Sequence, residues 1–347
     1  MNEQDALKQM ISPGMRRPRI WRNGVMQIWI TRGCDLACFG CTQGSNLGGK
    51  PGRITTQQFE LAMKSLKGYF GVIGIFGGNP AIHPEFDTLC DILSDHFPKE
   101  QRGLWCNHPR GNIDKIRATF NPEVSNINVH LVRAAYDEFI TGWPGLKPFM
   151  KGLDPTWPEA EEMRRKGAKE YAHRVGDARH SPPYVAIQDL DLLPFMDGSN
   201  RPNTESNRWE LIANCDINKN WSAMIAVFRD QLRGFFCEVA GAQAMLHQHE
   251  EGYPDLGLPV EPGWWEKSMQ DFAAQARYHC HACGIPIRTH GELAVGGTTE
   301  QVSATHQSVF TPKSKSREVE LVQLSTQLAE RTTRVTDYIE NGGGAGK

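Results

Sequence analysis

Short apolar runs recur along the first third of the chain, each closed by glycine, proline or a cluster of polar residues. Residues 25–31 (VMQIWIT) form a β-rich run ended by Arg32-Gly33, which predicts a strand opening into a loop. Thr55 and Gln58 stand at capping-box spacing and Ile54 and Phe59 at staple spacing, after which Phe59, Met63, Leu66 and Phe70 fall on one helical face. A second apolar strand over 72–76 is cut off by Gly77-Gly78-Asn79-Pro80. A helix over 84–97, a strand over 103–106, a helix over 112–120 and a strand over 126–131 continue the pattern. This alternation predicts an α/β fold, a parallel sheet with right-handed crossovers built as a barrel or as an open doubly wound sheet. In both, ligands belong at the C-terminal ends of the strands.

The alternation breaks between residues 134 and 183, where Trp and Pro recur and a charged helix-like stretch over 158–173 has the character of an inserted lid. Residues 184–190 read as a further strand, and the polar run 197–207 as a linker. Residues 221–228 and 234–237 predict a hairpin, and 239–249 a helix. From about residue 298 the chain turns polar. Leu321, Leu324, Leu328, Val335 and Tyr338 then mark an amphipathic helix, packed on its own domain, ahead of a Gly-rich end expected to be disordered. The expected organisation is an N-terminal arm over 1–19, an α/β unit over 20–200, a smaller unit over 205–297 and a tail over 298–347.

The length of 347 residues suits two or three structural units with a sizeable core. Lys plus Arg at 38 against Asp plus Glu at 40 leaves a net charge of -2, so no global attraction to nucleic acid or anionic lipid is expected. The longest apolar runs, such as 223–228, are far shorter than a membrane span, and the acidic start lacks the features of a signal peptide. A soluble cytoplasmic protein is expected. Arg16, Arg17, Arg19 and Arg22, interleaved with Trp21, read as a solvated arm rather than a contact to a phosphate or nucleic acid.

Nine cysteines in a compartment that keeps thiols reduced point to metal binding or catalysis rather than disulfides. Cys34, Cys38 and Cys41 make C-x3-C-x2-C in the loop after the first strand, a spacing with a chance of about 0.6% in this composition. Three thiolates in one glycine-containing loop can hold three irons of a four-iron cluster and leave the fourth open to a small molecule. A zinc site borrowing a fourth ligand is the alternative. Cys215, Cys237, Cys280 and Cys283 form a second set, C-x21-C-x42-C-x2-C, around the expected hairpin and helix. Cys90 and Cys106 read as small buried hydrophobes, and of the two only Cys106 stands at a strand end that substrate could reach.

On Cys34-Asp35-Leu36-Ala37-Cys38-Phe39-Gly40-Cys41 after the first strand and Gly77-Gly78-Asn79-Pro80 after the second, residues 20–190 resemble the radical S-adenosylmethionine superfamily. The resemblance implies a partial parallel (βα)6-type barrel and a catalytic 4Fe-4S cluster held by Cys34, Cys38 and Cys41. It implies S-adenosyl-L-methionine bound to the open iron and cleaved reductively to a 5'-deoxyadenosyl radical that abstracts hydrogen from substrate. Gly77, Gly78 and Asn79 take the place of the family's GGEP-type motif on the methionyl amine, the glycines allowing close backbone approach and the Asn oxygen accepting from the ammonium. Asn79 stands where Glu is usual, which makes a charge-assisted contact a neutral one. Gly40 stands where an aromatic residue often lies near the adenine, with Phe39 one place earlier; a Gly there also occurs in glycyl-radical-activating members. Asn107 after the third strand and His130 on the fourth lie where this architecture puts polar contacts to the nucleoside or its carboxylate.

Residues 210–290 resemble, more loosely, the twitch subdomain of some of these enzymes, a small α+β unit whose hairpin and helix carry an auxiliary 4Fe-4S cluster. The resemblance makes Cys215, Cys237, Cys280 and Cys283 its ligands, with tetrathiolate zinc as the alternative. His247, His249, His279 and His281 are candidate substitute ligands, with a surface role the simpler expectation. A fully ligated auxiliary cluster moves an electron, which favours oxidation or bond formation. The expected activity is oxidative or bond-forming modification of a peptide or protein, with a small-molecule substrate such as a sugar or nucleotide second, and an electron donor such as flavodoxin or ferredoxin as partner. No membrane partner and no nucleic acid are expected. A glycyl-radical activase and a zinc-stabilised binding module are the competing readings.

Overall fold

The structure, a computed structural model, describes residues 1–15, 24–34, 43, 45, 52–127, 133–146, 204–215, 217–218, 222–281 and 283. Its strands are β1 (Val25–Thr31), β2 (Val72–Gly77), β3 (Arg102–Cys106), β4 (Asn126–Ile127), β5 (Ser222–Phe228), β6 (Gln231–Phe235) and β7 (Leu258–Pro259). They form one seven-stranded sheet in the order β4-β3-β2-β1-β5-β6-β7. Neighbours from β4 to β5 are parallel, while β6 and β7 extend the edge antiparallel. The fold is thus α/β with a mostly parallel sheet.

Strand β1 is buried at every position, as an inner strand covered on both faces must be. Met26, Ile28 and Ile30 face the main core, and Val25 and Trp29 alternate onto the other side. The helices are α1 (Glu3–Gln9), α2 (Thr56–Ser65), α3 (Phe86–His96), α4 (Ile113–Thr119), α5 (Arg133–Gly142), α6 (Glu205–Ala213), α7 (Glu238–His247) and α8 (Ala273–His279). Phe59 and Met63 of α2 and Leu89 and Leu93 of α3 fill the main core against Ile73, Ile75 and Leu104. Helix α7 lies on β5, where Met245 meets Trp29, Met224 and Phe235. Among the described residues no helix is long and apolar enough to cross a membrane.

The capping box that opens α2 is formed: Thr55 Oγ1 accepts from Gln58 N at 3.1 Å and Gln58 Oε1 accepts from Thr55 N at 2.9 Å. The helix stops sooner than its apolar face suggested. Gly68 turns the chain at φ +88°, so Tyr69 enters the core and Phe70 is 44% exposed.

Four further expectations differ from what is found. The segment read as an N-terminal arm contains α1, capped by Asn2, whose Ala6 and Leu7 together with Met10 are buried in the main core. Strand β5, assigned by the pattern to a second unit, lies beside β1 in the same sheet, with Val25 opposite Ser222. Hydrophobic periodicity reports that a strand exists but not which distant strand it joins. The hairpin turn is Arg229-Asp230, both at positive φ, and it starts β6 at residue 231 rather than 234. Arg229 makes this unfavoured pair of turn residues hold by donating to Gln248 Oε1, Gln248 O and Tyr253 O at 2.7–2.9 Å. The last three residues of the run read as a linker, 205–207, are the first turn of α6, which the Thr204 side chain caps. The expected elements over 158–173 and 184–190 and the tail over 298–347 lie outside the described residues.

Candidate functional site

The C-terminal ends of β1, β2 and β3 meet at one edge of the sheet. Gly78 N donates to Thr31 O and Asn79 N to Gly33 O, each at 2.8 Å, so the turn after β2 is tied to the backbone leading into Cys34. Both glycines are demanded by that contact. Gly77 sits at φ +146° with the site of a Cβ 2.1 Å from Thr31 O, and a Cβ on Gly78 would fall 2.1 Å from Gly33 O.

Asn79 is fully buried. Its Oδ1 accepts from Ala81 N at 3.2 Å and from the Cys106 thiol at 3.2 Å, and its Nδ2 donates to His108 O at 3.1 Å. The oxygen expected to meet a ligand ammonium is therefore turned inward, where it caps the turn Pro80–Ile82. Cys106 is buried against this amide rather than facing open space. Asn107 is 6% exposed, and its Nδ2 donates to Cys34 Sγ at 3.3 Å. Its Oδ1 is buried with no hydrogen-bond partner among the described residues. Gly77, Gly78, Asn79, Asn107 and Cys34 are thus brought together. Cys38, Phe39, Gly40, Cys41 and His130 lie outside the described residues.

The second set of cysteines is contributed by three different elements. Cys215 follows α6, Cys237 is the N-cap of α7, and Cys280 and Cys283 leave the end of α8. All four are thiols rather than disulfides and line one apolar cavity. Asn218 holds the cover in place, donating to Ile11 O and accepting from Ile11 N at 3.0 Å, next to the Met10 that lines the cavity. Gln275 on α8 fixes the floor. Its Oε1 accepts from Phe236 N at 3.1 Å and its Nε2 donates to Gly234 O at 3.0 Å and Leu256 O at 2.9 Å.

Burial, and then the neighbouring Cys283, Cys237 and Cys215, push the Cys280 thiol well above the usual range. Four thiols in so apolar a space cannot ionise together unless a cationic centre offsets their charge. Four sulfur donors around one apolar cavity are the chemistry of a cationic centre with soft ligands.

The histidines separate by environment. His249 is exposed and His281 is half-buried against Trp209. His247 is buried, paired with Glu250 and stacked on Tyr253. His279 lines the cysteine cavity at 2% exposure, and burial first, then His247, pulls its pKa down to about 3. Cys90 behaves as the small hydrophobe expected, its thiol pushed up to about 12 by burial. Asn218 and Gln275 carried no signal in the sequence, because isolated amides gain a role only from partners far along the chain.

No family model matches the chain, and no curated protein matches it. Among solved structures, a crystal structure of BtrN in complex with AdoMet and 2-DOIA is similar over 75% of this chain and 87% of that one, with a TM-score of 0.36 and 10% identity.

Proposed function

We propose that the chain is a radical S-adenosylmethionine enzyme with a second iron–sulfur centre. The observation that carries this reading is the bonding of the Gly77-Gly78-Asn79 turn onto the backbone that enters the C-x3-C-x2-C loop, with Asn107 on the Cys34 sulfur. When bound, the cluster and S-adenosylmethionine would supply an electron and a 5'-deoxyadenosyl radical able to take hydrogen from a substrate. Cys34, Cys38 and Cys41 would hold that cluster. Asn107 Nδ2 would donate to the Cys34 thiolate, which has no proton of its own, and leave Oδ1 directed to a ligand donor. With the Asn79 side chain engaged inside the protein, a methionyl ammonium would meet the backbone of this turn instead.

Cys215, Cys237, Cys280 and Cys283 would hold the second centre. Four thiolates in one apolar cavity can ligate the four irons of a cluster, one each, with tetrathiolate zinc at about 2.3 Å bonds as the alternative. With all four positions filled, this centre would exchange electrons rather than bind substrate, which supports an oxidative or bond-forming reaction on a peptide, with a sugar or nucleotide as second class. The test is an anaerobic incubation with a strong reductant and S-adenosylmethionine. Formation of 5'-deoxyadenosine by wild type and its loss in Cys34→Ala are expected; iron-loaded wild type that forms none would sink the proposal.

A further inference from the structure

A histidine that lines the cysteine cavity has one ring nitrogen with no hydrogen-bond partner among the described residues. His279 ends α8 one residue before Cys280 and lines the cavity with all four cysteines. Its Nδ1 lies 3.4 Å from Tyr253 Oη, and its Nε2 is buried without a hydrogen-bond partner among the described residues. A neutral imidazole carries one proton, and a phenol is the natural donor to the other nitrogen. If Tyr253 Oη donates to Nδ1, the proton sits on Nε2, as a buried N–H with no acceptor among the described residues. Such a group is rare unless something other than protein supplies the acceptor.

We propose that His279 Nε2–H donates to a sulfur of the C-terminal centre and raises that centre's reduction potential. Reduction adds negative charge that is shared with the sulfurs, so a hydrogen bond aimed at one of them stabilises the reduced state more than the oxidised one. Tyr253 fixes the tautomer that makes this possible, and its ring is itself held by stacking on His247 at 5.3 Å. His279 is on this account a positioning and tuning residue, not a ligand. The inference rests on reading the four-cysteine site as an iron–sulfur cluster.

The test uses the full chain with Cys34, Cys38 and Cys41 changed to Ala, so that after anaerobic reconstitution only the C-terminal site holds iron. Iron and sulfide are counted, the midpoint is found by redox titration followed by EPR, and pulsed EPR reads nitrogen couplings. His279→Phe is expected to keep about four irons, and to lower the reduced-to-oxidised ratio about tenfold at the parent midpoint, equivalent to 59 mV for one electron. His279→Gln restores the ratio, and Tyr253→Phe lowers it in the same direction by less. The parent shows one weakly coupled nitrogen that His279→Phe lacks. An unchanged midpoint in iron-loaded His279→Phe overturns the inference and leaves the cluster standing. A strongly coupled nitrogen overturns it in favour of ligation. If His279→Phe loses its iron, an unchanged midpoint in Tyr253→Phe overturns it. A parent that takes zinc and no iron removes the cluster reading and the inference together.

Discussion

Asn79 and His83 show how single side chains at the sheet edge are committed to the fold before any ligand arrives. Asn79 stands where the resembled family has Glu, yet its amide has partners on both sides and no exposure. Asn79→Glu, although it restores the family residue, would press a carboxylate into that space. It is expected to cost about 2 kcal/mol or more of stability, read as a lower denaturation midpoint; equal stability with tighter S-adenosylmethionine binding would mean that the side chain turns outward. His83 uses both nitrogens in the neutral state, Nε2 donating to Ile54 O at 3.1 Å and Nδ1 accepting from Glu85 N at 3.1 Å. Burial holds its pKa below the ordinary 6.5. The unfolded chain therefore binds the proton first, so this stability is full above pH 6.5 and falls as pH drops below it, by at most about 1.4 kcal/mol per unit. Urea midpoints at pH 7.5 and 5 should fall more for wild type than for His83→Gln; parallel falls would contradict the assignment.

At the scale of elements, local chemistry was legible and long-range pairing was not. The capping box at Thr55, the strand over residues 25–31 and the glycine stop after β2 follow from neighbours within a few positions, and each is found where the pattern puts it. The junction of β5 with β1 and the burial of α1 depend on partners about two hundred residues away, which periodicity does not encode. The same division runs through the site. The cysteine count and spacing singled out Cys215, Cys237, Cys280 and Cys283, which line one cavity, while Gln275, which ties α8 to β6, was silent. Gln275→Leu leaves the Phe236 N–H and the Gly234 and Leu256 carbonyls without their partner. A loss of about 3 kcal/mol or more is expected in chemical denaturation, together with a fall in metal content; a loss under about 1 kcal/mol would show that α8 is held by its apolar contacts alone.

For the whole molecule, one mostly parallel sheet carries Cys34 at the C-terminal edge of β1 to β3 and the four-cysteine cavity beyond the β5–β6 hairpin among α6, α7 and α8. Such an arrangement has a use if both sites take electrons in a single reaction, and the composition of the metal centres tests this most directly. Iron, acid-labile sulfide and zinc are to be counted per chain after anaerobic reconstitution, in wild type, in Cys34, Cys38 and Cys41 to Ala, and in Cys215, Cys237, Cys280 and Cys283 to Ala. The account predicts about eight irons in wild type and about four in each variant. Zinc without iron in all three proteins would contradict it.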